Sequence, residues 1–366
     1  MVICLENVLE YEQPTKYIVK SENYSDDFAL PVLTAGKSFV LGFTDETDGI
    51  CKASENPVII FDDFTADCKY VDFDFKVKSS AIKILHKANA EDNLKYYFYA
   101  MQAIDYTPFS HKRVWISEYS KFKIKNRSVA EQNNIVKKLD TVATAIDNAK
   151  QRLNALDELV KSRFIEMFGD IRISSIFPNI ALENFAQIGS SKRVHAADYV
   201  ESGVPFYRSK EIIELGNGQE PSVELFISKK QYESIKKTNG VPCKGDILMS
   251  AVGTIGKMWI VDGRKDFYYK DGNIISIHSE ETNPIYLKEA LANLIDDFKS
   301  ANVAGSAYSA LTIVKLKKMT VPMPPMSIQN EFADFVKLID KSKFIVQKQI
   351  DDLQELLDSK MDEYFG

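Results

Sequence analysis

Cysteine and histidine are scarce in this sequence, and neither is arranged as a metal site or a disulfide framework would require. The 366 residues include four cysteines and four histidines. No C-x-x-C pair occurs, so the pattern predicts reduced thiols in a cytoplasmic protein and no zinc or disulfide scaffold. The histidines show no ligand spacing, and we expect each to be a surface or core residue.

Long apolar runs and an excess of basic residues are also absent. No apolar stretch approaches the ~20 residues of a membrane helix, so we expect no membrane association. The opening MVICLENVLEYEQP carries acids where a signal peptide carries bases, which argues against export. The net charge of −6 argues against a non-specific nucleic-acid coat, which usually needs a basic surface. It does not exclude a reader of particular bases with a local basic patch.

The glycine-rich stretch AVGTIGKM (251–258) does not make a phosphate-binding loop. Gly253 and Gly256 are too close together for the P-loop spacing, and a methionine replaces the required hydroxyl residue. We interpret the stretch as a glycine-kinked hairpin that presents Thr254 and Lys257.

Two other motifs suggest catalysis but are incomplete. NPIY (283–286) is similar to the Asn-Pro-Pro-Tyr signature of amino-methylating DNA methyltransferases, yet Ile285 replaces a proline and no glycine-rich adenosylmethionine loop is present. A proline after Asn283 at a helix start accounts for it. Asp62 and Asp63 could serve a metal or a general base, but paired acids at a strand end are typical turn residues. The sequence therefore predicts no enzyme.

An internal repeat with a period of 197 residues is the main positive signal. The ending SKMDEYFG (359–366) nearly repeats SRFIEMFG (162–169), and Gln132-Asn133 falls on Gln329-Asn330 at the same shift. Such self-similarity indicates two copies of one structural plan.

Each copy ends in a helix whose apolar residues recur at alternating intervals of three and four, a heptad seam. In the first helix these residues are Ile135, Leu139, Val142, Ile146, Ala149, Leu153, Leu156 and Val160. In the second they are Phe332, Val336, Ile339, Val346, Ile350, Leu353 and Leu357. Lys343 interrupts the second seam, and Gly169 and Gly366 stand where C-cap glycines belong. Helices of about 35 residues far exceed the globular mean of about 11–12.

A seam this long favours pairing of the two helices in an intramolecular antiparallel coiled coil, although two core helices of one domain remain an alternative. The repeat then gives four segments: a domain at 1–130, a helix at 131–168, a domain at 169–328 and a helix at 329–366. Their net charges are −3, 0, +1 and −4, so only the second domain is slightly basic.

Both domains mix strands and helices in a similar order. PVLTAGKSFVLGFT (31–44) and GVPFYRSKEI (203–212) are strand-rich, whereas LKYYFYAMQAI (94–104) and YLKEALANLIDDFK (286–299) are helical in pattern. The predicted fold class is α+β: two mixed α/β recognition domains separated by two long helices that form an antiparallel coiled coil, with a pseudo-two-fold internal repeat.

This organisation resembles the specificity subunit of type I restriction–modification enzymes. The resemblance covers essentially the whole chain and rests on the phrases EQNNIVKKLDTV, GVPFYRSKEI, GDILMSAVGTIGK and VPMPPMSIQNEFA, in this order with the 197-residue period. It implies that each domain is a target-recognition domain reading one half of a bipartite double-stranded DNA sequence. It further implies that the coiled coil sets the unread gap and docks two methylation subunits.

The resemblance also implies that partner subunits perform the chemistry. The methylation subunits would use adenosylmethionine to modify adenine, and motor–nuclease restriction subunits would use ATP and magnesium. This chain would hold no cofactor and would contribute sequence choice and assembly to phage defence in a prokaryotic cytoplasm. Two alternatives remain: a coiled-coil protein scaffold without a DNA role, and the recognition part of another multi-subunit methyltransferase or defence system.

Basic and hydroxyl side chains are the candidates for DNA contact, because Arg and Lys read guanine edges and also position phosphates. In the first domain they are Thr34, Lys37, Lys76, Lys78, Ser79, His111, Lys112 and Arg113. In the second domain they are Ser190, Ser191, Lys192, Arg193, Tyr207, Arg208, Ser209, Lys210, Thr254, Lys257 and Lys270. For Tyr207 packing is favoured over base stacking, and any single candidate could instead be a solvated surface residue.

Overall fold

A computed structural model describes residues 2–34, 38–109, 112–170, 174–303 and 311–366. The chain forms two compact units: unit 1 comprises Met1–Lys150 and Gln347–Gly366, and unit 2 comprises Gln151–Val346. The described elements are numbered along the chain.

In the described residues of the first part of the chain there are nine strands and one short α-helix. They are β1 Val2–Cys4, β2 Leu9–Glu12, β3 Leu30–Leu33, β4 Val40–Thr44, β5 Val58–Asp62, β6 Cys68–Val71, β7 Lys76–Val77, β8 Ile82–Lys87, α1 Leu94–Gln102 and β9 Lys123–Lys125. The long helix α2 follows at Val129–Phe168.

The remainder, over the ranges that the structure describes, contains twelve strands and five α-helices. The strands are β10 Gly169–Asp170, β11 Ser174–Ser175, β12 Asn179–Ala181, β13 Gln187–Gly189, β14 Tyr199–Val200, β15 Val204–Tyr207, β16 Phe226–Ile227, β17 Ile247–Ser250, β18 Met258–Ile260, β19 Tyr268–Tyr269, β20 Ile274–His278 and β21 Thr320–Pro322. The helices are α3 Ser209–Gly216, α4 Lys229–Thr238, α5 Pro284–Val303, α6 Ile313–Lys318 and α7 Met326–Phe365.

Unit 1 is built around a four-stranded antiparallel sheet in the order β2-β8-β5-β6. The central strand β5 is buried at every position, because successive side chains point to opposite faces and both faces are covered. Ile59 and Phe61 enter the core that contains α1, whereas Val58 and Ile60 enter a second core with Leu33. That second core includes a smaller sheet, β4-β3-β7, in which β3 and β7 are parallel.

Unit 2 repeats this plan. Its antiparallel sheet has the order β13-β20-β17-β18, and its second sheet, β14-β16-β15-β19, contains the parallel pair β15 and β19. The central strand β17 is again buried throughout, with Ile247 and Met249 in one core and Leu248 in another. The predicted α+β fold with an internal repeat is therefore confirmed.

The repeat also covers the start of each domain, a feature that the sequence reading missed. In unit 1, β1 pairs with β9 and continues into a 3-10 turn at Leu5–Asn7. In unit 2, β12 pairs with β21 and continues into a 3-10 turn at Leu182–Asn184. Both turns read Leu-Glu-Asn, and both leucines are fully buried.

The long helices α2 and α7 pack antiparallel, as predicted. Within unit 2, Asp157 pairs with Lys343, while Arg163, farther along α2, pairs with Glu331, which lies earlier in α7. Within unit 1, Tyr364 near the end of α7 joins the core near the start of α2.

Burial along both helices follows the heptad seam. The buried seam residues are Ile135, Leu139, Ile146, Ala149, Val160, Phe332, Val336, Ile339, Val346 and Ile350. The half-buried ones are Val142, Leu153, Leu156, Leu353 and Leu357. Seam residues thus contribute to the hydrophobic cores of both units.

Both helices begin slightly before the predicted boundaries, for local reasons. Ser128 and Glu131 form a capping box: the Glu131 carboxylate accepts from Ser128 N–H at 2.9 Å, and Ser128 Oγ accepts from Glu131 N–H at 3.4 Å. Helix α7 begins immediately after Pro325, a residue that fits a helix start. Gly169 closes α2 with a φ of +85°. The division of the chain into four segments stays a prediction.

Candidate nucleic-acid interface

In unit 1, several predicted DNA-contacting residues gather where the parallel strands β3 and β7 end. Thr34 follows β3, and Lys78 follows β7 with its backbone N–H donating to Leu33 O at 2.9 Å. Next along the chain, Ser80 accepts a hydrogen bond from the Arg113 guanidinium at 3.3 Å. The structure therefore brings the Lys78–Ser80 turn and the Arg113 segment together.

A buried carboxylate holds the basic Arg113 segment in place. Asp63 Oδ1 accepts from the backbone N–H groups of Val114 and Trp115 at 3.1 and 2.8 Å, and Lys83 lies 3.5 Å from Asp63 Oδ2. The neighbouring Asp62 accepts hydrogen bonds from residues of its own turn. The turn interpretation is confirmed for Asp62, whereas Asp63 holds the distant segment that carries the exposed Lys112 and Arg113.

The structure corrects the prediction that Lys76 contacts DNA. Its side chain is 1% exposed, its ammonium lies 2.8 Å from Glu46 Oε2, and it donates to Asp48 O at 2.5 Å. The ammonium also lowers the pKa of the Glu46 carboxyl to about 2. A buried, paired lysine cannot reach DNA in this fold. Lys37 and His111 lie outside the described residues.

In unit 2, the candidates at 190–193 meet the turn that follows β19. Ser190 Oγ accepts from Gly272 N–H at 3.1 Å, and Lys192 N–H donates to the Tyr268 hydroxyl at 2.7 Å. Arg193 Nε lies 2.8 Å from Asp271 Oδ2. These contacts place Ser190, Ser191, Lys192, Arg193 and Lys270 in one surface region.

Lys78 and Lys270 occupy matching positions in the two units. Each follows the short strand of the parallel pair, and each backbone N–H donates, at 2.9 Å, to the last residue of the adjacent strand, Leu33 or Tyr207. The two lysines are 192 residues apart, so the 197-residue period does not reveal their equivalence. They are the clearest pair of corresponding candidates on the two units.

Tyr207, a candidate for DNA contact whose packing was favoured, is also removed from the predicted contact set by the structure. Its ring is buried and stacks on Phe267 at a centroid distance of 4.6 Å and an interplanar angle of 17°. Trp259 packs edge-on against the same ring. The favoured packing role of Tyr207 is confirmed, and its ring is not available to stack on a base.

Acidic partners neutralise the basic residues at the start of α3. The Arg208 guanidinium pairs with Glu211 at 2.7 Å and with Glu224 at 2.9 Å. Lys210 pairs with Glu224 at 3.0 Å. Ser209 is half-buried beside them. These pairs leave less uncompensated positive charge here than at the exposed Lys192.

The predicted glycine-kinked hairpin is confirmed between the antiparallel strands β17 and β18. Ser250 Oγ donates to Thr254 O at 2.5 Å and accepts from Lys257 N–H at 3.0 Å. The side chains of Thr254 and Lys257 are exposed. The base of the hairpin is tied by Ala251 N–H to Asn273 O, in the turn after Lys270.

No metal-binding arrangement occurs among the residues that the structure describes, since no three His, Cys, Asp or Glu side chains converge suitably. All four cysteines are free thiols. Within the same described ranges, no helix is both long and apolar enough to cross a membrane.

A family model and two named relatives each match part of the chain. Residues 177–355 match the family model of the type I restriction modification DNA specificity domain. The type I restriction enzyme EcoR124I/EcoR124II specificity subunit of Escherichia coli is 46% identical over 162 residues, which cover 41% of this chain and 40% of that protein. A Haemophilus influenzae protein named as a type I restriction enzyme specificity subunit is 31% identical over 164 residues, covering 44% and 39%. The matches span about two fifths of each relative's length.

Two solved structures share the fold over the whole chain. The type I restriction–modification S subunit from M. genitalium gives a TM-score of 0.57 at 15% identity, covering 100% of this chain and 96% of its own. A chain from a structure on complex assembly and conformational transition of the type I restriction–modification system gives 0.53 at 13% identity, covering 100% and 97%. At these identities the likeness establishes the fold alone.

Proposed function

We propose that this chain belongs to the type I restriction–modification specificity family, whose model its residues 177–355 match, and that it selects the DNA sequence on which a multi-subunit methylation and restriction complex acts. One observation carries the proposal: two units of the same plan present equivalent lysines, Lys78 and Lys270, at the ends of their parallel strand pairs. Two equivalent but chemically different surfaces suit a bipartite target.

In this proposal each unit reads one half of a double-stranded site. Arg113 in unit 1 and Arg193 in unit 2 have the planar donors that pair with guanine edges, whereas lysines act as point charges toward phosphates. Several of these cations are held by acids in the free chain, including Lys78 by Glu22 and Arg193 by Asp271. Together with the net charge of −6, this favours weak DNA binding by the chain alone and tight binding by the complex.

In the same proposal, the paired helices α2 and α7 determine the distance between the two half-sites and the assembly of the complex. They set the unread gap and dock two methylation subunits, which bring adenosylmethionine. Motor–nuclease subunits bring ATP and magnesium. This chain contributes no catalytic step and works in the prokaryotic cytoplasm.

Mapping of methylated adenines tests the proposed function. Cells that express the partner subunits with this chain should show a bipartite adenine-methylation motif that is absent without the chain. Adding one heptad to both long helices lengthens them by about 10.5 Å, or about 3 bp of DNA at 3.4 Å per step. The half-sites should then stay the same while the gap grows. Methylation independent of this chain, or altered half-sites after the insertion, would contradict the proposal.

A protein scaffold without a DNA role is the second candidate, and one observation favours it. Leu338, Phe344 and Ile345 of α7 are 61%, 73% and 66% exposed, and such apolar groups often mark protein interaction sites. A gel shift of the assembled complex on duplexes with random gaps separates the candidates, because a scaffold would give no sequence-dependent shift.

A further inference from the structure

Helix α1 is fastened to the start of α2 through an asparagine. Asn93 caps α1 by accepting from Lys95 N–H at 3.0 Å. Its own backbone N–H donates to Gln132 Oε1 at 2.8 Å, and its side-chain amide donates to Asn133 Oδ1 at 2.8 Å. The repeated Gln-Asn pair therefore binds Asn93, at the start of α1, in the recognition domain of unit 1.

The same arrangement recurs in unit 2. Asn283 accepts from Ile285 N–H at 2.9 Å at the start of α5. Its N–H donates to Gln329 Oε1 at 2.8 Å, and its amide donates to Asn330 Oδ1 at 2.8 Å. Atom types and distances match those of unit 1, although α1 has nine residues and α5 has twenty.

A tyrosine three residues after each asparagine completes the fastening. The Tyr96 hydroxyl donates to Lys125 O at 2.6 Å, and the Tyr286 hydroxyl donates to Pro322 O at 2.5 Å. Both tyrosines are fully buried. The segments read NLKY and NPIY, so the methyltransferase-like NPIY motif is one of two copies of an N-x-x-Y element with a structural role.

The same tyrosines contact the repeated ending of the long helices. Tyr96 packs against Phe365 with ring centroids 5.3 Å apart, and Tyr286 packs against Phe168 at 4.8 Å. Phe168 and Phe365 are the phenylalanines of the repeated Phe-Gly ending. Each N-x-x-Y element therefore touches the beginning of one long helix and the end of the other within its own unit.

The glutamines at the centre of these contacts are buried with their donors satisfied. Gln132 and Gln329 are each 1% exposed. Their amides donate to Arg127 O at 3.1 Å and to Pro324 O at 2.9 Å. A buried, satisfied polar network favours one arrangement over others, because any displacement leaves buried polar groups without partners.

We propose that each N-x-x-Y element, with its Gln-Asn pair and terminal phenylalanine, is a joint that fixes the angle of a recognition domain on the paired helices. The proposal rests on the proposed function and deepens it. The joint residues are positioning residues: because they fix each recognition domain on the helices, the length of the helices determines the DNA gap. The two recognition domains differ in their surfaces but share the joint, so domains of different specificity are attached to the helices in the same way.

Conservative substitutions test the joint without removing the helix caps. Asn93→Ser and Asn283→Ser keep a side-chain oxygen that can cap the helix. They lose the side-chain amide that donates to Asn133 or Asn330. Tyr96→Phe and Tyr286→Phe remove only a hydroxyl and keep the ring. Asn148→Ser, at an exposed position of α2, is the matched control. Each variant is assembled with its methylation subunits and assayed on duplexes carrying the mapped gap or a gap one base pair shorter or longer.

We expect the wild type and Asn148→Ser to prefer the mapped gap strongly. The Ser/Phe double variant of either joint should lower that preference about tenfold, because the hydrogen bonds that hold the domain in one orientation are lost, while the required half-site bases stay unchanged. Equal loss of methylation at all three gaps, or a lower melting temperature with the gap preference intact, would show a merely structural role and overturn the joint. A wild-type complex without gap-dependent methylation would overturn the proposed function and the joint with it.

Discussion

Lys343 Nζ lies 2.5 Å from Asp157 Oδ1, so the lysine that interrupts the heptad seam of α7 is paired with a carboxylate of α2. The Lys343 side chain is 28% exposed and that of Asp157 is 58% exposed. The lysine stem can therefore cover apolar seam surface while its ammonium reaches the edge of the helix pair. A polar residue at such a position commonly fixes register at some loss of stability.

Replacing Lys343 with leucine should stabilise unit 2. The Lys343→Leu variant completes the apolar seam and should raise the free energy of unfolding by about 1 kcal/mol, since it buries further apolar surface. Asp157→Ala should change stability by less than about 1 kcal/mol, because the Asp157 side chain is 58% exposed and solvent screens the ion pair. Urea unfolding of both variants checks this, and a clear destabilisation by Lys343→Leu would mean that the ion pair outweighs apolar packing there.

Lys78 and Lys270 should behave as equivalent phosphate contacts. Each uses its backbone N–H to hold a strand end, which leaves the flexible ammonium as a point charge. Lys78→Ala or Lys270→Ala should weaken binding of the assembled complex about fivefold on all sequences and reduce the salt slope by about 1. Fluorescence titrations at several salt concentrations measure both effects, with Lys348→Ala on α7 as the control. Relaxed sequence preference would instead identify a base contact.

Lys76 should affect stability but not DNA binding. Lys76→Met removes the buried partner of Glu46 and should cost about 3 kcal/mol. The pKa of Glu46 is lowered from 4.5 to about 2 by Lys76, so in the wild type this pair contributes fully above about pH 4.5 and is lost as the pH falls toward about 2. The stability difference between wild type and variant should therefore shrink between pH 5 and about 3. A pH-independent difference would contradict this account.

The sequence predicts local and periodic features well. The heptad seam, the hairpin around Gly253 and Gly256 and the turn role of Asp62 all depend on neighbours within a few residues, and such patterns are visible along the chain. The pairing of the long helices was predictable in the same way, because an apolar seam kept over several heptads favours another long helix as its partner.

Contacts between distant segments account for what the sequence did not predict. Lys76 lies in an alternating stretch that gives no sign of burial, because its partner Glu46 is 30 residues away. The sequence did not predict the joint for the same reason. Asn93 and Asn283 are 190 residues apart, so they do not align at the 197-residue period that aligns the long helices.

The hairpin that presents Thr254 and Lys257 offers a matched pair of glycine substitutions. Gly256 has a φ of +81°, and a Cβ there would lie 2.4 Å from Ile295 Cγ2 in α5. Gly253 has a φ of +74°, but a Cβ there would meet no atom within 4 Å. Both alanine variants carry left-handed backbone strain of about 1–2 kcal/mol, and only Gly256→Ala adds overpacking of about 1–3 kcal/mol.

We therefore expect Gly256→Ala to lower the free energy of unfolding by about 3 kcal/mol, from that strain and overpacking together, and Gly253→Ala by about 1 kcal/mol, from strain alone. Urea unfolding measures both values. Since the hairpin also carries two candidate DNA contacts, Gly256→Ala should weaken DNA binding by the complex more than Gly253→Ala does. Equal losses of stability would show that α5 yields to the added methyl group, and the hairpin would then not be held rigidly against that helix.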